Sequence, residues 1–87
     1  MPKISEFYGI LIYMYYDDHG IPHIHARCGG EDASFAIETG EMIKKGEIPY
    51  KKRRMVQKWI KMHKSELMSN WEKVSSDEQP RKIEGLQ

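Results

Sequence analysis

His23-Ile24-His25-Ala26-Arg27-Cys28 is the stretch whose alternation decides the fold. Successive side chains of a strand point to opposite faces, so Ile24, Ala26 and Cys28 share one face and His23, His25 and Arg27 the other. One apolar face and one polar face is the pattern of an antiparallel sheet covered on a single side. Before this strand, Asp17-Asp18-His19-Gly20 reads as a turn, and Pro22 holds Ile21 extended. Residues 9–16 are β-branched and aromatic with apolar side chains at both parities, as in a central strand covered on both faces. After it, Gly29-Gly30-Glu31-Asp32 turns the chain into a third strand over residues 33–38, with Ala33, Phe35 and Ile37 on one face. Thr39-Gly40 then connects tightly to a short fourth strand over residues 41–44.

The second half reads as helix. Met55, Val56, Trp59, Ile60, His63, Leu67, Trp71 and Val74 recur at spacings of three and four, one apolar stripe over about 25 residues. Ser65-Glu66 is a candidate cap for a second helix, but the stripe keeps its phase there, which favours one helix with at most a kink. Trp59 and Trp71 are both expected in the core. Gln79-Pro80 ends the helix, and Ile83 and Leu86 of the tail either dock on the core or stay mobile. The expectation is an α+β fold: an antiparallel β-meander of three to four strands (about residues 4–44) packed against a long C-terminal helix (about 50–76), with a tail over 77–87. At 87 residues the chain is expected to form a single domain spanning 1–87.

The net charge of +1 hides a bipolar chain. Residues 44–64 hold nine basic side chains against Glu47 alone, and the rest of the chain is net acidic. Lys51, Arg54, Lys58 and Lys61, spaced by three, four and three, form a basic ridge roughly opposite the apolar stripe. Such a ridge suits a phosphate backbone or an acidic protein, and no named DNA-reading pattern accompanies it. A solvated helix face is the plainer reading. No apolar run approaches signal-peptide or membrane-spanning length, and Cys28 is the single cysteine; a cytoplasmic protein with no membrane association is expected.

Three of the four histidines lie within His19-Gly-Ile-Pro-His23-Ile-His25. Imidazole titrates near neutrality and is the commonest metal ligand, which opens three readings. His19, His23 and His25, with Asp17 or Asp18, have spacings that permit a divalent transition metal such as zinc, nickel or iron. Alternatively His19, His23 and His25 act as general acid and base in ribonuclease-like phosphodiester cleavage, Arg27 and the lysine ridge binding phosphate. In the third reading the cluster is structural or part of a non-catalytic interaction adaptor, with Tyr13, Tyr15 and Tyr16 completing a hydrogen-bonded network. His63, inside the apolar stripe, is a core histidine unless the helix packs on the face that carries His23 and His25.

Several segments resemble one family across almost the whole chain. They are the opening Met1-Pro2-Lys3-Ile4-Ser5-Glu6-Phe7-Tyr8-Gly9-Ile10, Met14-Tyr15-Tyr16-Asp17-Asp18-His19, Pro22-His23-Ile24-His25-Ala26, Ile37-Glu38-Thr39-Gly40-Glu41, the helix positions Val56 to Trp59, His63 and Asn70-Trp71, and the closing Lys82-Ile83-Glu84. The chain resembles the small bacterial domain-of-unknown-function 4160 family, whose Pro-His-x-His motif is specific. Where many relatives have two prolines before the first histidine of the pair, this chain has Ile21. The resemblance implies a stand-alone gene beside another small gene, hence a toxin-antitoxin-like module in which the protein contacts RNA or the cognate small protein of the neighbouring gene. It carries over no catalytic residue.

Overall fold

The structure, a computed structural model, describes residues 2–16, 20–44, 46 and 48–87. It is α+β. Five antiparallel strands, β1 (Lys3–Phe7), β2 (Ile10–Tyr13), β3 (His23–Cys28), β4 (Glu31–Ala36) and β5 (Met42–Lys44), lie side by side in chain order, and helices α1 (Tyr50–Met62) and α2 (Lys64–Ser75) follow. The strand count exceeds the expected three to four because the N-terminal segment pairs as β1. Tyr8 and Gly9 join it to β2 with φ of 49° and 76°, the two left-handed residues of a tight hairpin whose twist matches its strands. The β3–β4 turn is Gly29-Gly30 alone, since Glu31 and Asp32 already pair with Cys28 and Arg27.

Alternation along β2 and β3 sorts the side chains as a one-sided sheet requires. Ile10, Ile12, Ile24 and Ala26 are fully buried, whereas Leu11, Tyr13, His23 and His25 are half-buried on the other face. The expectation of a strand covered on both faces over residues 9–16 therefore fails: β2 is four residues long, and its second parity is only partly covered. Val56, Trp59 and Ile60 of α1 and Leu67 and Val74 of α2 close the core against the inner face. Phe7 meets Trp59 at a ring distance of 5.3 Å.

The single long helix expected over 50–76 is two helices meeting at His63, whose φ of −118° and ψ of 27° leave helical geometry. Hydrogen bonding still crosses the break: the His63 amide donates to Trp59 and Ile60 carbonyls and the Leu67 amide to the His63 carbonyl. The apolar stripe therefore keeps its phase through a real interruption. Trp59 is fully buried, but Trp71 is only half-buried, because the inward position there belongs to Asn70. Asn70 is 2 % exposed and clamps the tail, its amide donating to the Arg81 carbonyl at 2.8 Å and its carbonyl accepting from the Arg81 amide at 2.9 Å.

Beyond that clamp the tail is docked. The Ile83 amide donates to the Ile4 carbonyl at 2.8 Å, Lys82 Nζ to the Lys3 carbonyl, and Trp59 Nε1 to the Glu84 carbonyl. The tail thus covers the open edge of β1, one of the ways a sheet avoids pairing with a second chain. Among the described residues, no helix is long and apolar enough to cross a membrane.

Candidate functional site

Register across the sheet assembles the histidine face. Tyr13 of β2, His25 of β3 and Ser34 of β4 are cross-strand partners in one row. Tyr13 stacks on Tyr15 at 6.1 Å, Tyr15 lies 4.3 Å from His25, His25 lies 5.0 Å from His23, and His23 lies 5.1 Å from Trp71, all between ring centroids. The result is a continuous run of rings from β2 to α2.

Each imidazole of the pair is oriented through Nδ1. His23 Nδ1 donates to the Ile21 carbonyl at 2.7 Å, across the intervening Pro22. His25 Nδ1 and Ser34 Oγ share a hydrogen bond at 3.2 Å. Ser34 carries no sequence signal of its own, since only the β3–β4 register puts it opposite His25. His19, Asp17 and Asp18 lie outside the described residues. Among the described residues, no group of three or more His, Cys, Asp or Glu side chains is placed to hold a metal ion.

Arg27 shares the outer face, but Asp32, its cross-strand partner, engages the guanidinium through Nε at 3.1 Å. That hydrogen bond and the carboxylate charge raise its pKa further above its ordinary value. His63 does not sit among the rings of the outer face: its described partners are the Trp59 ring at 5.6 Å and Glu66, which meets Nδ1 at 2.7 Å.

The basic ridge is elsewhere. Val56, Trp59 and Ile60 of α1 are buried toward the inner face of the sheet, and Lys51, Arg54, Lys58 and Lys61 lie exposed on the rest of the same helix. The four cations and Lys64 line one open groove of about 940 Å³. Buried Ile37 and Ile60 and half-buried Met55 and Leu86 give it an apolar lining, so the ridge borders apolar surface rather than lying wholly opposite it. The β4–β5 turn joins the groove through Glu38, Thr39 and Gly40, and Gln57 Nε2 donates to the Gly40 carbonyl at 3.0 Å. Glu38 lies 3.7 Å from Lys64. Arg54 is steadied by Tyr50, whose hydroxyl accepts from its guanidinium at 2.8 Å. The structure therefore gathers His23 with His25, and Lys51 with Arg54, Lys58 and Lys61, but keeps the two groups on opposite sides of the sheet.

The family model described as Domain of unknown function (DUF4160) matches residues 9–72. The chain belongs to that family. No curated protein and no solved structure matches it.

Proposed function

We propose that this family member is a binding module, one partner of a small two-protein pair, whose α1 groove takes an acidic amphipathic segment of the other protein. The observation that carries the reading is the lining of that groove. Five cations, Lys51, Arg54, Lys58, Lys61 and Lys64, surround aliphatic Met55, Ile60 and Leu86. A segment with carboxylates along one side and apolar residues along the other would meet both features, in the manner of an amphipathic helix laid in a groove.

RNA fits the same surface less well. Unstructured RNA is held by aromatic stacking beside its phosphate contacts. Tyr8 is the sole aromatic among the described residues lining the groove. The gene neighbourhood implied by the family resemblance supplies a source for an acidic partner protein, and the exposed ring of Tyr8, which lines the groove, offers it an anchor point.

The test is a titration of the purified chain with the neighbouring gene's product and, separately, with single-stranded RNA. Tight, salt-sensitive binding of the protein, lost when Lys51, Arg54, Lys58 and Lys61 are all changed to Gln, is the expected result. Binding of RNA through those four residues in the absence of any protein complex would replace this reading with a nucleic-acid one.

A further inference from the structure

The outer face of the sheet holds two imidazoles that the groove does not use. His23 and His25 sit two residues apart on β3, so both side chains leave the strand on the same side. Their rings lie 5.0 Å apart between centroids, with an interplanar angle of 72°. Two imidazoles that share one tetrahedral ion through Nε2, at metal–nitrogen distances of roughly 2.0–2.1 Å, have ring centroids about 5 Å apart. The separation of the pair is therefore compatible with shared ligation.

Hydrogen bonding favours Nε2 as the ligating atom of the first ring and permits it in the second. Because His23 Nδ1 donates to the Ile21 carbonyl, the lone pair of the neutral ring is on Nε2. The Ser34 hydroxyl accepts from His25 Nδ1 as readily as it donates to it, so it accommodates the matching tautomer of the second ring. A backbone carbonyl on one ring and a hydroxyl on the other are the kind of outer partners that orient histidines at metal centres. Tyr15 and Trp71 pack on the outer sides of the two rings, which reduces the side-chain freedom lost on ligation.

We propose that His23 and His25 bind one divalent transition-metal ion, of the zinc and nickel class, through their Nε2 atoms. Imidazole nitrogen favours these ions over magnesium and calcium, which take oxygen. The remaining positions of a tetrahedral ion are open to water, an anion or a further donor. This site is independent of the groove and stands whether or not the groove binds a protein.

The experiment uses the full chain made without a polyhistidine tag, stripped with a chelator and titrated with zinc chloride alone by calorimetry. One zinc per chain is expected. His23→Gln and His25→Gln should each weaken it by roughly tenfold or more, and Ser34→Ala by a smaller factor. His63→Gln should bind as the parent does, since Glu66 engages that ring on another part of the molecule. No uptake at zinc in excess over the chain, or uptake unchanged in both glutamine variants, overturns the proposal. Should those variants fail to fold, nickel added to the parent chain decides the matter by nuclear magnetic resonance. Paramagnetic broadening should reach the ring signals of His23 and His25 before that of His63, and broadening that begins at His63 or reaches neither ring of the pair rejects the site.

Discussion

On the outer face of the sheet, His25 is held by Ser34 across one strand pair and packed against the Tyr15 ring, while across the core Lys51, Lys58 and Lys61 stand exposed on α1. Both regions are rich in nitrogen, but they hold it differently. Short side chains fixed by register and by backbone carbonyls define positions to a fraction of an ångström, which is what an ion or a proton transfer requires. Long, flexible ammonium groups define a field, which attracts an acidic surface and sets its association rate without fixing one geometry. The sheet between them keeps the two roles apart, so each can be altered with the other as its control.

The largest effect should come from the residue both regions depend on. Trp59 fills the core, donates to the tail at Glu84 and packs on Phe7. Trp59→Ala should cost on the order of 3–5 kcal/mol, a large share of a small domain's stability. Urea melts would show it, and zinc uptake and partner binding should fall together. Loss of one with the other intact would mean that the two faces do not share this core.

Asn70→Ala should separate them. It leaves the Arg81 amide and carbonyl without the side chain that satisfies both, at a cost of about 1–3 kcal/mol. The same change loosens the tail that brings Leu86 and Gln87 to the groove. Partner affinity should therefore drop while zinc uptake by the chain that remains folded is unchanged. Equal losses on both faces would show that the tail supports the sheet as a whole.

These two residues also mark what the sequence does and does not make legible. Trp59 is readable from a local pattern, as are the faces of His23 to Cys28, because alternation and helical spacing are properties of a few neighbouring residues. β1 escapes that pattern. Its register shifts between Lys3 and Ser5, so Ile4 and Ser5 are buried in succession and the period of two is broken. The break at His63 is hidden because hydrogen bonds bridge it. Asn70 looks like a polar residue beside the stripe until the tail, eleven positions on, supplies its partner. For the candidate sites the limit is the same: His23 with His25, and Lys51 with Arg54, Lys58 and Lys61, follow from spacing, but Ser34, Glu38, Lys64 and Leu86 enter only through pairing and packing over long sequence distances.

The smallest stability change should belong to the ridge, and that smallness is what makes it informative. Lys51, Arg54, Lys58 and Lys61 are exposed, and exposed substitutions away from special features usually lie within about 0.5 kcal/mol each. Replacing all four by Gln also relieves crowding of like charge along α1, which offsets the loss of the contact between Arg54 and Tyr50. The variant should melt close to the parent and bind zinc identically. Its complex with the acidic partner should nevertheless weaken, and the slope of affinity against salt should flatten, since exposed charges act through a field that ions screen. A variant that loses zinc as well as its partner would show that the field of α1 reaches through the sheet, and the separation of the two faces would have to be abandoned.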